Sequence, residues 1–419
     1  MLGPDRISSY KRATDMITRG EQMLALRKRR MADSHPFFRG GYRPFFTSGA
    51  LWALVALILW LGALSGLLTL PTQFDPLAWH RHEMLFGFVG AVITGFLLTA
   101  IPNWTGRLPI AGGPLATLFG LWLAARAAVL FSAHVGPLVA AMLDVGFYVI
   151  LAALAAREVF ATKNRNVPVV LLVLLFAIAN ALDHGAAAGM IDDEGIGSRA
   201  AIVIVILMIS LIGGRVVPSF TRNWLTKQGA QRGLPTQPGR FDIVAIGATA
   251  VAMAGWLIAP FNALVGVLLL VAAALQVVRL ARWSGARAWR DPLVLVLHVG
   301  YAWVPVGLSL LGLSIIGSAV PVSGAVHALT AGAMGTMILA VMTRATLGHT
   351  GRELKASPAT TLIYILVTIG ALGRVAAPLL TMDYMLAVQL SGMAWGGAFV
   401  LFLLVYGPML VGPRPDGRP

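Results

Sequence analysis

The chain contains no cysteine. That excludes disulfides, thiolate-ligated haem, cysteine-held iron–sulfur clusters and the C-x-x-C-H attachment of c-type haem. Any redox metal must therefore be held by His, Met, carboxylate, Tyr or backbone. Charge is scarce as well. Only 12% of the 419 residues are Asp, Glu, Lys or Arg, where a soluble globular chain carries about 25%. The short alternating segments of a membrane β-barrel are also missing.

What is present is apolar. Hydrophobic residues make up 58% of the chain, in recurring runs of about 20 residues, the length that crosses a bilayer as a helix. The composition specifies an all-α, polytopic membrane protein embedded in a lipid bilayer. Twelve transmembrane helices are expected, near residues 45–70, 80–101, 112–132, 135–156, 168–190, 199–218, 240–260, 262–280, 292–316, 324–346, 358–380 and 384–407. Residues 1–44 form a basic, interfacial N-terminal tail, 45–407 the membrane domain and 408–419 a C-terminal tail.

The formal net charge of +15 would suggest a nucleic-acid partner in a soluble protein. Here the basic residues fall in alternate short loops: Arg107, then Arg157, Lys163 and Arg165, then Arg222, Lys227, Arg232 and Arg240, then Arg279, Arg282, Arg287 and Arg290, then Arg344, Arg352 and Lys355. The cluster Arg27-Lys28-Arg29-Arg30 and the tail residues Arg414 and Arg418 belong to the same side, while Asp192-Asp193-Glu194 lies on the other. By the positive-inside rule both termini are cytoplasmic, and no nucleic acid is expected.

A weak repeat divides the chain into three parallel four-helix units. The ends of the second, sixth and tenth spans correspond, at Pro102, Pro218 and Met342. Divisibility of twelve by four explains the same pattern without a repeat.

Ionisable groups inside such spans are costly and mark function. The second span opens Trp79-His80-Arg81-His82-Glu83, and the tenth opens with His327 at matching depth. His80 and Glu83, three apart, share a helical face that His82 does not. One reading makes His82 an axial haem ligand opposed by His327, with Glu83 orienting a ring or carrying protons; a hydrated helix end explains His80 and His82 as well. Buried Arg126 calls for a carboxylate, Asp144 or Asp183, and Arg374 for a carboxylate or a haem propionate. His298 and Tyr301 share a face of the ninth span, either as a metal or proton-relay pair or as aromatic packing. Met334 and Met337 lie on the stripe of His327, either as thioethers of the kind that suit Cu(I) or in methionine's ordinary packing role.

Several longer stretches resemble the NnrS family of bacterial membrane proteins. They are His35-Pro36-Phe37-Phe38-Arg39-Gly40-Gly41-Tyr42-Arg43-Pro44-Phe45-Phe46, the stretch from Trp79 to Gly106, Gly213-Gly214-Arg215-Val216-Val217-Pro218-Ser219-Phe220-Thr221, His298-Val299-Gly300-Tyr301-Ala302-Trp303, and His327 through Arg352. The resemblance implies a haem- and copper-containing inner-membrane protein linked to nitric oxide metabolism and protection from nitrosative stress. Its motif histidines here are His80, His82, His298, His327 and His349.

Three functions then compete. One is a protein with non-covalent haem b and copper that binds nitric oxide. Another is a nitric oxide reductase fed by quinol or another donor, with a second metal near the haem and Glu83, Tyr301 and Asp144 as the parts of a proton path. The last is a copper or haem transporter. Twelve helices in three fours also suggest the haem–copper oxidases by analogy alone. That superfamily places copper ligands on its sixth helix, where this chain has no histidine.

Overall fold

The computed structural model describes residues 21–22, 25–26, 29, 32–193, 195–317 and 320–417. Most of the basic cluster at 27–30, together with Glu194 and Arg418, lies outside the described residues. Twelve helices are long and apolar enough to span a membrane: α1 (Tyr42–Leu64), α2 (Pro76–Thr105), α3 (Gly113–Leu130), α4 (Pro137–Ala161), α5 (Val167–Ala187), α6 (Ile196–Lys227), α7 (Arg240–Ile258), α8 (Ala263–Ala281), α9 (Pro292–Ile316), α10 (Val322–His349), α11 (Pro358–Leu379) and α12 (Tyr384–Val411). No strand occurs among the described residues. The chain is an all-α, multi-pass membrane protein.

Local signals start these helices where they start. Asp75 accepts hydrogen bonds from the backbone N–H groups of Leu77 and Ala78, with Pro76 at the first helical position. Asp291 before Pro292 and Ser357 before Pro358 repeat the arrangement. Each cap satisfies donors that a helix start leaves open, and proline there loses no useful N–H. The expected ends at Pro102 and Pro218 are too early. Both prolines lie inside their helices, which run on to Thr105 and Lys227. Gly106 then stops α2 in the left-handed conformation, at φ 68°.

Four helices form the centre. In the most apolar stretch of α2, 72% of residues are buried, and in α6, α9 and α10, 67%; elsewhere the share is 33–50%. The outer helices pack around these four, with α12 against α1. The start of α1 and the end of α12 meet on one face: Arg43 Nη1 donates to the carbonyls of Leu410 (2.8 Å) and Gly412 (2.7 Å). That side is called the terminal face below, and the side where α2 and α10 begin the opposite face.

The repeat is visible in detail, in a register different from the one anchored on proline. Each of α2, α6 and α10 contains a π-helical segment: Glu83–Val89, Ile209–Gly213 and Ala328–Met334. Widened turns of this kind release carbonyls from the ordinary ladder. In each unit a side chain of the fourth helix donates to a carbonyl of the π turn, one that the following glycine's N–H skips at Phe86 and Ala331 and shares at Ser210. Tyr148 on α4 bonds the Phe86 carbonyl, Arg279 on α8 that of Ser210 (2.9 Å), and Trp395 on α12 that of Ala331 (3.3 Å). The residue that follows each π segment is glycine: Gly90, Gly214 and Gly335. A Cβ at each would run into Tyr148, Arg279 and Trp395 respectively. In this register His82 and His327 hold equivalent positions, each eight residues before its glycine.

Candidate metal centre

Two polar sites flank the π turns of α2 and α10 toward the opposite face. A third lies toward the terminal face, in the second unit.

The first is a buried ionic network that joins α1 to α5. His82, Glu83, Asp144 and Asn180 have no exposed surface, Arg126 has 1%, and Asp183 and His184 have 6% and 7%. Arg126 Nη1 donates to both Glu83 oxygens at 2.8 Å, and its Nη2 donates to Asp144 Oδ1. Trp52 Nε1 donates to Glu83 Oε2 at 2.5 Å. Three groups converge on Asp144 Oδ2: His82 Nε2 at 2.8 Å, Asn180 Nδ2 at 2.9 Å and His184 Nε2 at 3.2 Å. The other nitrogen of His82 meets Asp183 Oδ2 at 2.8 Å. His82, Asp144 and His184 each offer one ligand atom, all within 4.8 Å of one another.

The second site brings together His80, His327 and Arg374. His327 and Arg374 both lie within electrostatic range of His80. The His80 ring stacks on Trp60 at a centroid distance of 4.7 Å, and its buried Nδ1 has no hydrogen-bond partner. His327 Nδ1 donates to the Ser323 carbonyl at 2.7 Å. That bond fixes the tautomer and leaves Nε2 as a lone-pair nitrogen. Arg374 Nη1 is buried and unpartnered. An imidazole nitrogen and a guanidinium N–H left unsatisfied in an apolar interior cost free energy. A Lewis acid answers the first and an anion the second, so these residues fit a metal centre.

In the third site, Tyr301 donates to Gln276 Oε1 and accepts from Arg279 Nη1, both at 2.7 Å. Arg279 Nε donates to Asp242 Oδ1 at 2.8 Å. Tyr301 is thus tied to the π turn of α6 rather than to His298. His298 bonds Thr221 Oγ1 through Nε2 at 2.8 Å, and its ring packs against Gly285.

A cavity of about 800 Å³ opens between α2, α6 and α10 toward the terminal face. Its wall is apolar and includes Met208, Met334 and Met337; Arg215, Arg344, Asn103 and His349 lie around it. Arg344 stacks on Phe220, 4.0 Å from the ring centroid. Cofactor pockets typically enclose roughly 300–1,000 Å³ with apolar walls and few polar groups.

The structure thus separates residues expected together. His82 and His327 share no hydrogen bond or ring contact among the described residues; His82 joins the carboxylates and His327 joins His80. Glu83 turns to Arg126 and Trp52, not to His80. Arg126 meets the carboxylate expected at Asp144, and Glu83 besides. Sequence reasoning passed over His184, whose only signal was an ionisable side chain one residue from Asp183 in an apolar helix.

A family model described as NnrS protein matches residues 36–414. The chain belongs to the NnrS family. The match spans all twelve helices, so the histidine sites, the three π turns and the cavity all lie within NnrS-family sequence. No curated protein matches the chain.

Proposed function

We propose that this NnrS-family protein binds non-covalent haem b and copper in the bacterial inner membrane and acts in nitric oxide metabolism or protection from nitrosative stress. The observation that carries the reading is the His80–His327–Arg374 centre, with two imidazoles at the starts of two central helices and a guanidinium on α11 whose buried Nη1 has no partner. Imidazole nitrogen suits copper, and a second ring nitrogen held by a carbonyl is the usual orienting contact of a metal-bound histidine.

The cavity between α2, α6 and α10 suits the haem. Its volume and apolar wall match a porphyrin body, Arg215 and Arg344 match propionates, and Met334, Met337 and His349 are candidate iron ligands. Bound haem iron would supply the atom that coordinates nitric oxide. Around it the chain's own residues exclude water and set polarity: Val92, Phe96, Ile212 and Ile338 make the wall in which a small uncharged diatomic dissolves more readily than an ion. With both termini cytoplasmic, the cavity opens inward and the histidine pair faces outward.

A reductase that takes electrons from quinol is the second reading, favoured by the buried carboxylates. Glu83 and Asp144, bridged by Arg126, form a polar path beside α2 along which a proton can be held. Purified protein tests the first reading through its optical spectrum, metal content and anaerobic titration with nitric oxide. Steady consumption of nitric oxide with a quinol would favour the second.

A further inference from the structure

We propose that His82, His184 and Asp144 bind a late first-row divalent cation, in a site separate from the His80–His327 centre. The first argument is charge. Glu83, Asp144 and Asp183 are three carboxylates, Arg126 is the one guanidinium among them, and the cluster is almost wholly buried. With neutral imidazoles the formal charge is −3 + 1 = −2. An uncompensated buried charge of that size is prohibitive, and one divalent cation cancels it.

The second argument is atomic. Asp183 accepts from His82 Nδ1 at 2.8 Å. In the neutral ring that leaves a lone pair on Nε2, which faces Asp144 Oδ2 from 2.8 Å away. With the ring neutral, two lone pairs face each other at hydrogen-bond distance, so a positive centre belongs between them, either a second ring proton or a cation. His184 Nε2 approaches the same oxygen at 3.2 Å. Metal bonds of about 2.0–2.2 Å at angles of roughly 90–109° put neighbouring ligand atoms about 2.8–3.5 Å apart. Both spacings to Asp144 Oδ2 fall in that range, and the two imidazole nitrogens lie within 4.8 Å of each other. A carboxylate behind a metal-binding histidine is the expected supporting contact.

An independent observation points the same way. Asn180 is fully buried and its amide nitrogen donates to Asp144 Oδ2, yet its Oδ1 has no hydrogen-bond partner. That oxygen belongs to the amide that touches Asp144, so it is a further neutral donor group within the cluster. The set of two nitrogens and a carboxylate, with no thioether, suits a divalent ion such as Zn(II), Cu(II) or Ni(II) rather than Cu(I). Counted back from the π-turn glycine, the tenth-span equivalent of His82 is His327, and the residue four before Trp395, matching Asp144 before Tyr148, is Ser391. The carboxylate half of this site belongs to the first unit alone.

The test uses full-length protein in detergent, dialysed against Zn(II) and freed of excess metal. Wild type should retain a single zinc equivalent more than His184→Ala, and His327→Ala should keep that equivalent. X-ray absorption on the zinc-loaded His327→Ala protein should show two imidazoles and a carboxylate oxygen. Equal zinc in wild type and His184→Ala, or a zinc shell without imidazole, overturns the proposal and leaves protons as the neutralising charge. If His184→Ala does not fold, His184→Gln and the absorption measurement decide. Loss of the haem–copper reading would not touch this outcome, since His327→Ala removes only the other centre.

Discussion

Arg279 in α8 donates to the backbone carbonyl of Ser210 in α6, 2.9 Å away, inside a π-helical turn. Gly214, the residue after that turn, has no Cβ where the guanidinium lies. The same relation recurs in the first unit with Tyr148, Phe86 and Gly90 and in the third with Trp395, Ala331 and Gly335. A buried carbonyl, an outside donor and a glycine hold the three central helices in matching form.

Adding a methyl at that contact should therefore be expensive. Gly214→Ala forces Arg279 away from both Ser210 and Asp242 and should cost about 1–3 kcal/mol, the usual range for overpacking. Gly247→Ala, on α7 with open space around it, should be neutral. Thermal unfolding in detergent compares the two.

Removing the donor alone isolates the carbonyl. Trp395→Phe keeps most of the ring but loses the bond to Ala331, leaving a carbonyl unsatisfied at a cost of about 1–3 kcal/mol. Faster amide exchange localised to the residues that follow Ala331 in α10 should accompany the loss, read by mass spectrometry.

The buried pair Arg279–Asp242 gives a sharper contrast. Asp242→Asn removes the charge beside a 2%-exposed guanidinium and should cost about 3–5 kcal/mol. Removing both charges, as in Asp242→Leu with Arg279→Met, should recover part of that loss in a double-mutant cycle.

The cavity makes its own prediction. Ala345→Trp fills space between α6 and α10. It should lower haem content several-fold while the melting temperature and copper content hold. Arg344→Gln should weaken haem retention less, because one of two basic residues remains. Pyridine haemochrome and metal analysis measure both.

Much of the fold was legible in sequence because hydrophobicity and length set membrane spans almost alone. All twelve were expected near their observed places. Beyond the expected ends near Pro102 and Pro218, α2 and α6 continue by a turn or more. The repeat was anchored on those prolines. Its true register rests on Gly90, Gly214 and Gly335, each paired with a donor roughly 60 residues later, and no local periodicity reports such a pairing. His80, Glu83, Arg126, Asp144 and Asp183 all stood out as polar residues in apolar runs. Depth in the membrane suggested pairing His82 with His327, but depth does not say which way a side chain faces. The π turn that begins at Glu83 changes the rotation of α2 just where an ideal helix would align Glu83 with His80.

The most direct test of the proposed function is the visible spectrum and metal content of purified wild type beside His80→Ala and His327→Ala, each recorded before and after anaerobic nitric oxide. Wild type should contain b-type haem whose Soret band shifts with nitric oxide, and copper that falls sharply in both variants. A wild-type protein without haem, or with haem indifferent to nitric oxide and copper unchanged in both variants, would contradict it.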